Sequence, residues 1–120
     1  MPSSESPLEQ CVVKMAIDGW RLSRNFARVL SLLDAGESAR YANQLRFYQK
    51  AVEESLHSAG MRISNVEGHA FEPGIAATAL NLDEFSATDQ LVVDQMMEPI
   101  IMGAEGVVHE GTIMLRRATR

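Results

Sequence analysis

Apolar or small residues recur along residues 8–33 at spacings that alternate between four and three without a slip. They are Leu8, Val12, Met15, Gly19, Leu22, Phe26, Val29 and Leu33. Such a seven-residue repeat predicts one amphipathic helix with a narrow apolar seam. Ser6 before Pro7 predicts an N-cap with proline in the first helical position, and Asp34-Ala35-Gly36 predicts the end of the helix. A seam this narrow packs against another helix, which for so short a chain can belong to a second subunit.

Residues 37–59 predict a second helix. One face carries Tyr41, Leu45, Tyr48, Val52, Leu56 and Ala59, and Phe47 and Ala51 widen it. Gly60 is a natural residue to follow the end of a helix. The short link predicts an antiparallel hairpin, and two hairpins from a homodimer would cover both apolar faces as a four-helix bundle. The predicted dimerisation residues are Leu8, Val12, Met15, Leu22, Phe26, Val29 and Leu33 with Leu45, Tyr48, Val52 and Leu56.

After Gly60 the apolar period shortens, which predicts strands. Residues 91–97 and 107–115 are the clearest strands, residues 61–66 form a third, and residues 75–82 are a strand or a helical turn. Pro99 limits pairing, and the turn at residues 103–106 would join the two clearest strands as a hairpin or meander pair. The expected class is α+β, with a disordered tail (1–6), a helical dimerisation region (7–60) and a small, mostly antiparallel β-domain (61–120).

Composition narrows the class of protein further. The chain has 120 residues, 46% of them hydrophobic, and one cysteine. This suits one small domain, or a helical arm with a subdomain. Since no intrachain disulfide can form, we expect a reducing compartment and an inert, buried Cys11. No apolar run is long enough for a membrane span and residues 1–10 do not resemble a signal peptide, so we expect a cytoplasmic protein without a membrane partner.

The formal charge of -5 is unevenly distributed. Residues 1–60 are neutral, whereas residues 67–110 contain nine acidic residues and no Lys or Arg. This stretch repels phosphate backbones, so we expect no nucleic-acid partner. It is either a solvated face that keeps the protein soluble or a docking surface for a basic partner.

No pattern in the sequence indicates catalysis. The three histidines lack metal-ligand spacing, and the acidic residues at 83–89 do not follow a calcium loop. Residues 86–89 predict a capping box or an Asx-type turn instead. No nucleotide-binding or nucleophile motif occurs. We therefore expect no metal, no cofactor and no enzymatic activity.

Two groups of side chains have alternative interpretations. Arg21, Arg24 and Arg28 lie beside the seam. They either solvate the helix and pair with Asp18 or with a bundle neighbour, or they form a cationic contact patch. The second group is the methionines of the strand region, which fill core gaps or make an adaptable binding surface; they are Met96, Met97, Met102 and Met114.

From about residue 20 onward, the order of features resembles the GrpE family, the nucleotide exchange factors of DnaK-type chaperones. Residues 28–34 (RVLSLLD) are similar to the leucine-rich end of the family's long helix. Residues 44–63 are similar to its bundle helix, which ends in Gly and runs into the first strand. GHAFEP at 68–73 resembles its G-x-x-F-D-P, and GAEGVVHEGTIML at 103–115 resembles its closing hairpin.

The chain also departs from that family's pattern. Glu72 replaces the usual Asp, and Ala76-Ala77 stand where a His-Glu pair follows the Asp-Pro. Gly106 and His109 replace two hairpin arginines, and the first helix is much shorter than the family's paired stalk. These departures indicate a divergent member matched to a particular DnaK-like partner.

The resemblance implies a homodimeric co-chaperone that docks on a DnaK-type ATPase and promotes ADP release. The implied contact residues are Phe71, Glu72, Pro73, Gly103, Gly106, Val107, His109 and Leu115. Two alternatives come from other classes of protein. One is a dimeric adaptor that has lost exchange activity and binds another partner through its acidic β-domain, and the other is a small enzyme with a pocket that the sequence does not reveal.

Overall fold

The computed structural model describes residues 6–118. Two helices, α1 (Pro7–Leu30) and α2 (Ala35–Ser58), precede six strands and a 3-10 helix (Leu82–Glu84). The strands are β1 (Arg62–Ser64), β2 (Ala77–Ala79), β3 (Leu91–Glu98), β4 (Ile100–Gly103), β5 (Gly106–His109) and β6 (Gly111–Arg117). This order confirms the predicted α+β class. Apart from Ser6, the tail for which disorder is predicted lies outside the described residues.

The chain divides into two compact units, a helical unit (Met1–Arg62) and a β unit (Ile63–Arg120). The helical unit begins where the sequence predicts. Ser6 is the N-cap of α1, and Pro7 follows it. The Glu9 N–H donates to Ser6 Oγ at 3.1 Å, while the Ser6 N–H donates to Glu9 Oε1 at 3.0 Å. This reciprocal pair satisfies two backbone donors that an uncapped helix leaves open.

The predicted end of the first helix is wrong. Helix α1 stops at Leu30, so it has 24 residues, and the Ser31 N–H closes its last turn. Asp34 instead caps the second helix, since its Oδ1 accepts from the Glu37 N–H at 3.0 Å. Aspartate satisfies the free donors at a helix N-terminus, so this residue starts a helix rather than ending one. Helix α2 ends as predicted, because Gly60 adopts a φ of 78° directly after it.

The two helices form the predicted antiparallel hairpin. A Cβ on Gly19 would lie 2.7 Å from the Tyr48 hydroxyl, so α1 and α2 approach closely there. Seven residues further along α1, Phe26 packs edge-on against Tyr41, which lies seven residues earlier on α2, at 6.4 Å between ring centroids. The buried positions of α1 are Val13, Ala16, Gly19, Ser23 and Leu30.

The β unit has two three-stranded sheets, in the orders β1-β4-β5 and β2-β6-β3. In the second sheet β3 runs antiparallel to β6, from Leu91 opposite Arg117 to Glu98 opposite Thr112, and β2 runs parallel to β6. The prediction of residues 91–97 as a strand is confirmed. Residues 107–115, in contrast, are two strands, and the turn after Gly103 joins β4 to β5.

Gly111 accounts for the break between β5 and β6. A Cβ at this position would lie 2.7 Å from the Glu98 carbonyl oxygen and 3.0 Å from Ile100 Cγ1. Only glycine lets β6 pass so close to the corner where β3 turns into β4 at the buried Pro99. The core of the β unit contains Val93, Met96, Ile100, Ile101, Ile113 and Leu115.

Residues 67–71 cover the side of β3 that faces away from β6. The Gly68 N–H donates to the Val93 carbonyl at 2.8 Å, and the Val93 N–H donates to the His69 carbonyl at 2.9 Å. Glu67 adds a side-chain bond, since its Oε2 accepts from the Met96 N–H at 2.8 Å. This edge of the sheet is therefore occupied, and β2 forms the opposite edge.

Candidate protein-interaction surfaces

The predicted seam of α1 divides into two rows. Val12, Gly19 and Phe26 are half-buried or buried, and the Gly19 and Phe26 contacts show that this row faces α2. The other row, here called the outer row, contains Leu8, Met15, Leu22 and Val29, whose exposed fractions are 78%, 72%, 62% and 50%. Packing within the hairpin thus covers the apolar side chains of one row and leaves those of the outer row exposed to solvent.

The outer row continues past the end of α1. Leu32 is 81% exposed and Leu33 is 36% exposed. Cys11, Asp18 and Asn25, each three residues after a member of the outer row, are also exposed, which corrects the expectation that Cys11 is buried. Seven-residue spacing keeps the outer row on one side of the helix along its whole length. This is the pattern of a helix that pairs with another helix.

The predicted dimerisation residues of α2 serve mainly the hairpin. Leu45 and Val52 are half-buried, Tyr48 keeps 41% of its surface, and Leu56 is 1% exposed. Leu56 is therefore corrected from a dimer contact to a residue already buried within one chain. Phe47, on the same helix, is 77% exposed.

Basic side chains beside the outer row contact other side chains of α1. Asp18 pairs with Lys14 at 3.0 Å. The Arg24 guanidinium lies 5.7 Å from the centre of the Trp20 ring, which is a cation-π distance. Arg21 and Arg28 are exposed on the same helix.

In the β unit, the segment implied by the GHAFEP resemblance forms a turn. Phe71 is half-buried, and its N–H donates to the Leu91 carbonyl at 2.9 Å. Glu72 and Pro73 are exposed, and Gly74 has a φ of 98°. The Ile75 N–H donates to the Glu72 carbonyl at 3.2 Å. Proline followed by a glycine with positive φ is the pattern of a type II turn, which presents Glu72 and Pro73 to solvent.

The implied contact residues of the closing hairpin are in different environments. Val107 is 47% exposed, and Gly103 and Gly106 pair at the turn, where Gly106 has a φ of 126°. His109 Nε2 lies 3.2 Å from Glu98 Oε1, and both side chains are largely covered. Leu115 is only 3% exposed, so it is corrected from a contact residue to a core residue.

The acidic stretch is not one uniform surface. Asp89 pairs with Arg117 and Asp94 pairs with Arg116, each at 3.3 Å. The Glu98 carboxylate contacts the His109 ring, and the Glu67 carboxylate accepts from the Met96 N–H. The predicted turn at residues 86–89 is confirmed, because the Ser86 N–H donates to Asp89 Oδ2 at 2.9 Å. The remaining acidic side chains of the stretch are all exposed; they are Glu72, Asp83, Glu84, Glu105 and Glu110.

Three features around β2 were not predicted from the sequence. Leu80 and Leu82 are 56% and 49% exposed, although they lie in a stretch that reads simply as apolar. Asn81, between them, is buried, and its side chain bonds both backbone groups of Leu115. Alternation of Leu80 and Leu82 around a polar residue was the available signal. Of the four methionines, Met96 is fully buried and the other three are half-buried.

Comparisons with known proteins found no relative of this chain. No family model matches it, and no curated protein and no solved structure matches it either. Within residues 6–118, no helix combines the length and apolar character that crossing a membrane requires. The same described range contains no group of three or more His, Cys, Asp or Glu side chains arranged to hold a metal ion.

Proposed function

We propose that this protein is a homodimeric, GrpE-like co-chaperone of the cytoplasm that binds a DnaK-type ATPase and promotes ADP release. The observation that carries the proposal is the outer row of α1. It offers a second helix an exposed seven-residue apolar repeat, while the β unit, with its own core, remains free for another partner. The order of a helical hairpin followed by a β unit agrees with the resemblance.

The outer row supports the dimer. Four large apolar side chains stay at least half exposed along one side of a helix that already packs on α2. Burying such side chains is favourable by about 25 cal/mol for each Å² of apolar surface removed from water. A second copy presents the same row, so a two-fold axis covers both rows at once.

The turn at Glu72-Pro73 and the β4–β5 hairpin with Val107 are the proposed contact surfaces for the ATPase. Both are exposed, and each carries an acidic residue, Glu72 or Glu105. A basic surface on the partner would complement them, since opposite charges speed association and select the partner.

Exchange of this kind requires no catalytic side chain. A protein that binds the open ATPase more tightly than the ADP-bound form shifts the equilibrium towards the open state. The coupling free energy for such effects is about 1–3 kcal/mol, and ADP must weaken binding of this protein by the same factor.

The direct test is the rate at which a fluorescent ADP analogue leaves the DnaK-type ATPase encoded by the same organism. We expect the full-length protein to accelerate release at least about fivefold at saturation, the rate equivalent of about 1 kcal/mol. A Glu72→Lys variant should weaken the effect, whereas Glu53→Lys, on an exposed position of α2, serves as the charge-matched control. No acceleration at saturating protein would contradict the exchange function.

The second candidate is a dimeric adaptor without exchange activity, and the His109 contact favours it. The resemblance places an arginine at this hairpin position, but the His109 ring lies against Glu98 and is largely covered. Affinity capture with and without ADP separates the two functions. The exchange factor should capture a chaperone ATPase in a nucleotide-sensitive way, and the adaptor should capture its partner equally well in both conditions.

A further inference from the structure

The β2 edge is the side of strand β2 that faces away from β6. Its backbone orientation follows from two hydrogen bonds to β6. The Gly111 N–H donates to the Ala76 carbonyl at 3.0 Å, and the Leu80 N–H donates to the Ile113 carbonyl at 2.9 Å. Since backbone groups alternate in direction along a strand, Ala77 and Ala79 direct theirs away from β6.

Three backbone groups are open on this edge. The Ala77 N–H donates to the Ile75 carbonyl at 2.8 Å, so it is satisfied locally. The Ala77 carbonyl, the Ala79 N–H and the Ala79 carbonyl meet no backbone partner within residues 6–118. A donor between two acceptors is the array that an added strand pairs with.

Side chains beside the β2 edge define what kind of strand it would accept. Leu80 and Leu82 are about half exposed, and together they offer an apolar contact directly after the open backbone groups. Asp83 and Glu84 follow and are exposed. Arg117, at the end of β6, is engaged by Asp89 at 3.3 Å and by the Phe85 ring at 5.3 Å.

We propose that the β2 edge, with Leu80, Leu82, Asp83 and Glu84, is a protein-binding surface that takes an extended, basic segment of a partner as an added strand. Charge complementarity selects this occupant. A second copy would bring the acidic stretch against itself, because residues 67–110 contain no Lys or Arg. The proposal does not rest on the exchange function, since it uses the backbone of Ala77 and Ala79 rather than Glu72, Pro73 or the β4–β5 hairpin.

The test uses the full chain and a synthetic peptide of about ten residues, in which valine and threonine alternate between pairs of lysines. We expect bound peptide to slow hydrogen exchange at the Ala79 amide, followed by NMR, and to leave the Ala77 amide unchanged because it is already bonded. A matched peptide with glutamates in place of the lysines should bind at least about tenfold more weakly, which is about 1.4 kcal/mol.

Two variants at one position separate backbone pairing from nonspecific attraction. Ala79→Pro removes the open donor, while the bonds to β6 use neighbouring residues, so binding should fall at least about tenfold. Ala79→Val keeps the donor and should bind like the unaltered chain. Intact amide shifts in β6 would show that both variants fold.

Three results would overturn the proposal. They are an Ala79 amide that the peptide does not protect, equal binding by Ala79→Pro, and protection that rises with protein concentration alone, which would make the occupant a second copy. ADP-release rates of Ala79→Pro should stay unchanged, so the exchange function and this surface can fail independently.

Discussion

The Asn81 side chain makes hydrogen bonds to β6 that the backbone of a longer β2 would otherwise make. Ala79 lies opposite Ile113 in the β2–β6 ladder, so Leu115 would next face residue 81, where the chain turns into the 3-10 helix. The Asn81 amide replaces the lost backbone pair. Its Nδ2 donates to the Leu115 carbonyl at 3.0 Å, and its Oδ1 accepts from the Leu115 N–H at 2.9 Å. Both bonds are buried, where an unpaired polar group is costly.

We therefore predict that Asn81→Ala destabilises the protein by about 1–3 kcal/mol, since it leaves the Leu115 N–H and carbonyl unpaired in the core. Urea unfolding at one fixed protein concentration measures this loss. Asn81→Asp should also destabilise, because a carboxylate cannot donate to the carbonyl and its charge would be buried. Gln95→Ala, at an exposed position of β3, is the control and should change little. Equal unfolding midpoints for Asn81→Ala and Gln95→Ala would refute the assignment.

Individual residues differ in how well the sequence predicts their roles. Ser6, Pro7 and Gly60 act locally, and their positions next to periodic segments predicted them correctly. Asn81 and Gly111 act through residues far along the chain. The Asn81 side chain forms a hydrogen bond with Leu115, and Gly111 passes close to the Glu98 carbonyl. No local sequence pattern therefore predicts either role. A glycine within a strand pattern was nevertheless a sign that residues 107–115 could be interrupted.

At the scale of elements, α1 shows what periodicity can and cannot resolve. The alternating spacing correctly predicted a helix, and it placed the apolar residues on one narrow seam. It did not reveal that α2 covers the row with Val12, Gly19 and Phe26 and leaves the outer row exposed. Both rows have a seven-residue repeat, so the repeat alone does not show which row contacts Tyr41 and Tyr48.

The outer row carries a prediction about stability. If it binds a second copy, the thermal unfolding midpoint of the unaltered chain should rise with protein concentration, since association stabilises the folded state by mass action. Met15→Glu with Leu22→Glu should abolish that dependence, because charges at the interface prevent its burial. Gln10→Glu with Ala27→Glu adds equal charge at exposed positions of α1 outside the outer row. This control should keep the dependence, and its loss there would argue against the outer row as the interface.

At the scale of the whole molecule, the uneven distribution of charge along the sequence follows the division into two compact units. The neutral half of the chain is the helical hairpin, and the acidic half is the β unit. Four of the nine acidic residues are engaged within the β unit, and the exposed ones lie at turns, in the 3-10 helix and beside strand ends. The acidic half therefore combines internal pairing with separate exposed sites.

The class of fold could be predicted from the sequence, whereas the pairing of β3 with β6 depends on contacts between distant residues.

The most direct test of the proposed homodimer is the mass of the full chain in solution, measured by light scattering coupled to size exclusion across a range of concentrations. A homodimer formed through the outer row has a mass twice the 13.2 kDa of one chain, and the Met15→Glu, Leu22→Glu variant should have the mass of one chain. A stable monomer at every concentration would contradict the proposed homodimer, because the outer row of α1 would then have no partner.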